Sequence, residues 1–162
     1  MIAVSGRKSI WRGFSRVLAI KPVTLFAMHV ATWVDRPLMR LTNGRLRLSF
    51  VIPVLLLRCR GARSGELREV PLMFVPDADT PLLVGSNAGR TRDPGWCYNL
   101  RHAPEISCAM DGVVRGYRAA ELSGSERAEA WQRAVEFYPA YAAYARRAQR
   151  EIPLFRLFPR EA

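Results

Sequence analysis

Residues 61–101 read Gly61-Ala62-Arg63-Ser64-Gly65-Glu66-Leu67-Arg68-Glu69-Val70-Pro71-Leu72, an apolar run to Val75, a breaker-rich turn over 76–81, Leu82-Leu83-Val84-Gly85, and then Ser86-Asn87-Ala88-Gly89-Arg90-Thr91-Arg92-Asp93-Pro94-Gly95-Trp96-Cys97-Tyr98-Asn99-Leu100-Arg101. Apolar strands alternate here with small-residue turns that carry arginine. Glycine and serine let backbone N–H groups come close to a ligand, and the arginine fork grips phosphate or carboxylate at two points. An anion site between strands is therefore expected. The alternative is that these arginines only solvate strand ends.

Working outward, Leu46 to Arg60 reads as strand, with Pro53 at a bulge or at the start of its second half, and Leu67 to Val75 returns as the next one. Pro76-Asp77-Ala78-Asp79-Thr80-Pro81 is a solvent turn, and Leu82 to Gly85 a third strand. The polar loop 86–93 is long for a plain connection, as functional loops are. Pro94 to His102 reads as a short helix. Ile106 to Met110 and Val113 to Leu122 form a hairpin at Asp111-Gly112, and Leu154 to Phe158 is a last strand. Between them Ser123-Gly124-Ser125-Glu126 reads as a capping box opening one long helix, kinked or restarted at Pro139. The fold class predicted is mainly β with flanking helices: a small closed or split barrel, since closure removes exposed strand edges.

The chain has 162 residues, one domain's worth, with 49% hydrophobic and 24% charged residues, which excludes disorder. Its net charge is +11, and of 25 basic residues only Lys8 and Lys21 are lysines. That bias reflects either codon usage or a need for phosphate- and carboxylate-gripping forks. The arginines are scattered and no nucleic-acid-binding signature accompanies them, which argues against nucleic acid. Cys59, Cys97 and Cys108 lack a paired spacing and read as reduced thiols of a cytoplasmic protein; His29 and His102 have no partner ligands, so no metal site is expected. Ahead of the barrel, residues 7–34 combine Arg7, Lys8, Arg12, Arg16 and Lys21 with an apolar face of Ile10, Trp11, Phe14, Val17 and Leu18. Such helices lie in a membrane interface or pack on the barrel or a second subunit, and the run is too short to span a bilayer. The domain division expected is 1–45, N-terminal amphipathic helices, and 46–162, the barrel.

Gly61, Arg63, Ser64, Gly65, Arg68, Pro71, Leu72, Ser86, Gly89, Pro94, Trp96, Asn99, Leu100, Arg101 and Pro104 stand in the order and spacing of a known pattern. So do Asp35 to Arg45, the tyrosines Tyr138, Tyr141 and Tyr144, and Glu151-Ile152-Pro153. In these residues the chain resembles the deazaflavin-dependent nitroreductases of the split β-barrel flavin-binding superfamily, which use coenzyme F420, an 8-hydroxy-5-deazaflavin. It departs from them at Ala62-Arg63, where two basic residues are usual, at Glu66, at Ala88-Gly89 and at Cys97-Tyr98.

The resemblance implies a cofactor site of Gly61, Arg63, Ser64, Gly65, Arg68, Pro71, Leu72, Ser86, Asn87, Gly89, Arg92, Trp96 and Asn99. In it the arginines, Ser64 and the N–H groups of Gly61 to Gly65 hold the tail's phosphate and carboxylates. Ser86, Asn87 and Gly89 approach the ring, and FMN is the lesser alternative cofactor. The catalytic residues implied are Tyr141, first, with Tyr138, Tyr144 and Ser86, passing a hydride to a quinone-like, nitroaromatic or activated-alkene acceptor. Spaced by threes, the tyrosines read equally well as core. The partners expected are a small-molecule electron acceptor and peripheral contact with the inner membrane face, in a monomer or homodimer. The departures keep open a non-catalytic deazaflavin- or flavin-binding or carrier protein.

Overall fold

Leu55, Leu56 and Leu57 are wholly buried in succession, which a strand achieves only when both of its faces are covered. They lie in β1 (Val54–Arg60) of a computed structural model that describes residues 41–42 and 53–160. β2 (Leu67–Val75), β3 (Leu82–Val84), β4 (Glu105–Met110), β5 (Val113–Glu121) and β6 (Leu154–Pro159) complete a closed barrel in the order β1-β2-β3-β6-β5-β4, every pair antiparallel. Register follows the turns. Arg60 opposes Leu67 across the Gly61 turn, and Met110 opposes Val113 across Asp111-Gly112, whose φ of 49° and 87° are those of a tight two-residue hairpin turn.

Alternation along the strands divides the core in two. Leu55, Leu57, Cys59, Leu83, Cys108, Tyr117, Phe155 and Leu157 point into the barrel, where helix α1 (Gly95–His102) adds Trp96, Cys97 and Leu100 as a plug. Leu82, Val84 and Leu154, their neighbours in sequence, point out to a second cluster under α2 (Gly124–Phe137) and α3 (Ala140–Ala148). Trp96 meets Phe155 edge to face, 5.7 Å between centroids. Desolvation raises the pKa of all three cysteines, Cys108 to about 12, so they stay protonated at neutral pH. They are free thiols with a packing role.

The mainly β barrel with flanking helices is thus as the sequence predicts, with two local corrections. The single long kinked helix is two helices, because Pro139 has no N–H to continue the first and Tyr138 leaves helical geometry (φ −135°, ψ 90°). The capping box does not form: Ser123 makes no side-chain cap bond, and the chain enters α2 through Gly124 at φ 57°. Among the described residues no helix is long and apolar enough to cross a membrane. The amphipathic helices of 7–34, the strand before Pro53 and the division at 45/46 lie outside the described residues; of Asp35 to Arg45, which the resemblance implies to be a helix ahead of the barrel, only Leu41 and Thr42 are described, both helical.

Candidate functional site

The turn between β1 and β2 closes on itself. Gly61 N–H donates to the Glu66 carbonyl, Gly65 N–H to the Gly61 carbonyl (2.8 Å each), and Ala62 N–H to Asn99 Oδ1 of α1 (2.9 Å). Three of the five donors expected to face an anion, those of Gly61, Ala62 and Gly65, are therefore taken up internally. Arg63 and Ser64 are exposed, and the Ser64 hydroxyl accepts from Arg68 Nη2 at 3.2 Å. A Cβ on Gly61 would stand 2.8 Å from that hydroxyl oxygen, so a side chain at 61 would force Ser64 to shift away from the turn. Glu66 also reaches Arg68 Nη2, at 2.8 Å, and covers part of the fork.

The second basic loop follows β3. Asn87, Ala88 and Gly89 all have positive φ (46°, 53°, 77°), a left-handed turn in which an alanine is strained. Gly89 N–H donates to the Ser86 carbonyl (2.8 Å) and Asn87 Nδ2 to the Arg92 carbonyl (3.0 Å). What holds the loop is Arg150. Its guanidinium donates to the carbonyls of Gly85 (3.0 Å), Arg90 (3.2 Å), Arg92 (3.2 Å) and Glu151 (3.1 Å), and pairs with Asp93 at 2.6 Å. Asp93 also meets Arg101 (2.9 Å), which is bound at two points by Glu121 (2.7 and 2.6 Å). This network fixes the start of α1 as Asn99 fixes its far half, so one helix ties both basic turns together.

α3 packs against the left-handed turn. A Cβ on Gly89 would lie 3.0 Å from both Arg147 Nε and the Tyr144 carbonyl oxygen. Asn87, Gly89, Arg90, Thr91, Arg92, Arg146, Arg147 and Gln149 line an open cleft of about 610 Å³. Behind it the tyrosines are buried: Tyr138, Tyr141 and Tyr144 are 4%, 3% and 4% exposed. Tyr138 and Tyr144 share a hydroxyl–hydroxyl hydrogen bond of 3.1 Å, and Tyr141 stands edge-on to both rings. Burial raises the Tyr138 and Tyr141 pKa values, the bond to Tyr144 adding to the shift at Tyr138, so these phenols are neutral at any physiological pH.

Of the residues read from the sequence, Gly61, Arg63, Ser64, Gly65 and Arg68 come together at one turn with Asn99. Asn87, Gly89 and Arg92 meet at the cleft, with Ser86 just before them. Pro71 and Leu72 are half-buried in the middle of β2, Trp96 is inside the barrel, and the three tyrosines form one aromatic cluster. Sequence reasoning missed Arg150 and Asp93, whose contacts are long in sequence and leave no local pattern. It also missed Arg147, for which there was a signal: 138, 141, 144 and 147 are evenly spaced, and an arginine continues a row of tyrosines.

Residues 33–159 match the family model for F420H(2)-dependent quinone reductase. A relative from Mycobacterium tuberculosis (strain H37Rv), the F420H(2)-dependent quinone reductase Rv1261c, is 31% identical over 143 residues, 78% of this chain and 96% of that protein. The solved structure of an F420-H2 dependent reductase, FDR-A, superposes with TM-score 0.60 at 38% identity, covering 65% of this chain and 93% of the other. A structure described as a domain-swapped dimer gives TM-score 0.62 at 35% identity over 78% of this chain and 98% of its own.

Proposed function

The chain belongs to the F420H(2)-dependent quinone reductase family, and from that premise we propose that it binds coenzyme F420 across its two basic turns and reduces a quinone-like acceptor. Bound there, the reduced deazaflavin supplies a hydride, and with it an electron pair, to an electron-poor small molecule; nitroaromatics and activated alkenes are further acceptors of that kind. The observation that carries the reading is the bridging of both turns by α1, through Asn99 to the Ala62 N–H and through Arg101 to Asp93, which Arg150 also holds.

The residues present fit a coenzyme with an anionic tail. Gly61 leaves room for Ser64 to fold against the turn, and Arg63 and Ser64 stand exposed beside Arg68. In this reading Arg63, Ser64 and Arg68 hold the tail by charge-assisted hydrogen bonds, with Gly65 shaping the turn and Pro71 and Leu72 supplying the apolar edge on β2. Ser86, Asn87 and Gly89 meet the ring on a loop that Arg150 keeps in one conformation, so orientation costs little on binding, and Arg92 on the same loop joins the arginines that hold the tail. Trp96 and Asn99 anchor that loop and the turn from behind. Tyr138, Tyr141 and Tyr144 exclude water from the rear wall, and a hydroxyl reaching the acceptor from this cluster, Tyr141 first, completes the proposal.

Fluorescence titration of the purified protein with F420, and in parallel with FMN, tests the assignment. Saturable binding of the deazaflavin alone is expected, and binding of neither overturns the coenzyme reading in favour of a binding or carrier role for another ligand. Arg68→Ala should weaken F420 by about tenfold, the size of one charge-assisted bond. Glu66→Gln should do the reverse by severalfold, because it uncovers the Arg68 fork. If both variants bind as the parent does, the tail lies elsewhere.

The proposal extends to peripheral contact with the cytoplasmic membrane face through residues 7–34, for which the basic amphipathic sequence is the support. It extends also to a monomer or homodimer acting on a small molecule and not on nucleic acid. Deleting residues 1–20 should abolish co-sedimentation with anionic vesicles; undiminished sedimentation of the deletion removes the anchor.

A further inference from the structure

Three arginines in the described residues bury guanidinium nitrogens that no hydrogen bond satisfies: Arg127, Arg147 and Arg156. Arg127 lies 3.0 Å from Glu151 and Arg156 3.4 Å from Asp77, so each has a carboxylate beside it. Arg147 has none among the described residues. Its Nε and Nη2 are both buried and unbonded, its guanidinium is stacked 4.9 Å from the centroid of Tyr144, and its stem presses on Gly89. The aromatic face attracts the cation but takes up none of the in-plane N–H donors. A fork held against Tyr144 with two of its donors unbonded carries a cost that an acceptor in the cleft its guanidinium lines would relieve.

The surroundings say what that acceptor is. The cleft that Arg147 lines carries Arg90, Arg92 and Arg146 as well and, among the described residues, no Asp or Glu. The nearest acid on the loop, Asp93, is already bound by Arg150 and Arg101. Asn87, Thr91 and Gln149 add uncharged polar groups to the same walls. Four guanidinium groups around one cleft, one of them half-buried and held against Tyr144, suit a group with two or more negative oxygens and repel cations.

We propose that this cleft is a second oxyanion subsite, apart from the Gly61 turn, in which Arg147 is the innermost donor and Arg90, Arg92 and Arg146 close the rim around a phosphate or carboxylate. The oxyanion is either part of the coenzyme's phosphate-and-glutamate tail, an assignment that rests on the function proposed above, or a separate phosphate or carboxylate ligand. The left-handed turn has its own purpose in this arrangement: only glycine at position 89 lets Arg147 approach closely enough to form the back of the cleft.

The first arm of the test uses inorganic phosphate and thermal unfolding at fixed ionic strength, on the full chain, with chloride as reference. Phosphate should raise the midpoint of the parent and of Arg68→Ala, the variant at the other turn. In Arg147→Gln the gain should fall to the share of the Gly61 turn, and in Arg147→Gln combined with Arg68→Ala it should be lost. Arg92→Gln, on the exposed rim, should weaken it and keeps the test decisive if Arg147→Gln does not fold. The second arm compares F420 with the same deazaflavin lacking its tail, by fluorescence. Loss of about tenfold in Arg147→Gln for F420 alone identifies the tail as the ligand. Arg147-dependent phosphate binding with unchanged F420 affinity, or with no F420 binding at all, identifies a separate ligand and leaves the subsite standing while the coenzyme assignment is judged by its own titration. Equal phosphate stabilisation of parent, Arg147→Gln and Arg92→Gln, or no stabilisation together with unchanged F420 affinity, overturns the subsite.

Discussion

Arg150→Ala is expected to destabilise the protein by about 3 kcal/mol, because it removes a partly buried ion pair and leaves a fan of carbonyls without a donor. The pair with Asp93 has both side chains only 15% exposed, so solvent screening does not erase it as it would at the surface. Asp93 keeps Arg101 at 2.9 Å, which holds the loss below that of a wholly stranded carboxylate. In urea the midpoint should fall with the slope unchanged, and in heat the midpoint should drop by roughly 6–12 °C for a chain of this size. Arg150→Lys should recover less than half of the loss. A lysine restores a point charge opposite Asp93 but cannot bridge the carbonyls of Gly85, Arg90 and Arg92 at once. Coenzyme affinity should fall on the order of tenfold in Arg150→Ala even after correction for unfolding, since the loop then has to be ordered on binding. A stability change within about 0.5 kcal/mol, the range of ordinary surface substitutions, would mean that the left-handed turn holds itself.

That a residue of this weight escaped the sequence reading shows where such reading stops. Strands were legible because their signals are local. Leu67 to Val75 was bounded by a glycine turn and a proline, and is found at those limits; Asp111-Gly112 specified its hairpin by the φ that the two residues tolerate. The barrel followed from the count and order of strands. Helix details were less legible. Pro139 announced a break but not whether the chain would bend or end; the first helix ends at Phe137, where Tyr138 takes extended geometry, buried and bonded to Tyr144.

The site was half legible for the same reason. Glycines and arginines at close spacing marked both turns, since the constraint they answer acts within a few residues. Which donors those turns leave for a ligand depends on partners far along the chain: Asn99 takes the N–H of Ala62, 37 residues away, and Arg150 reaches back to Gly85 across 65. No periodicity records such contacts. At the first turn the N–H groups of Gly61, Ala62 and Gly65 go to partners within the chain, and what the turn presents outward is the side chains of Arg63, Ser64 and Arg68. The arginine that continues the tyrosine row, Arg147, is a half-buried fork on the wall of a cleft.

The tyrosine row carries the other large effect. Tyr141→Ala should cost about 3–5 kcal/mol, the range for deleting a large buried ring, because Tyr141 is 3% exposed and wedged at 5.0 Å from Tyr138 and 6.1 Å from Tyr144 between ring centroids. The loss should reach Gly89, since Tyr144 presents both its carbonyl to that glycine and its ring to Arg147. Tyr141→Phe keeps the ring and should cost less than about 1 kcal/mol. It has a second signature in alkali. A phenol whose pKa is raised by burial stays neutral in the folded chain while the unfolded chain begins to ionise near pH 10, so its contribution is complete below that pH and is lost as pH rises above it. The phenylalanine variant lacks that term and should lose less stability than the parent between about pH 10 and 11. With the fold preserved, turnover separates the two roles open to this residue. A fall in kcat at unchanged coenzyme Kd is the result expected of a hydroxyl that meets the acceptor, whereas kcat and Kd both equal to the parent's make Tyr141 a packing residue whose influence on the site runs only through Tyr144, Gly89 and Arg147.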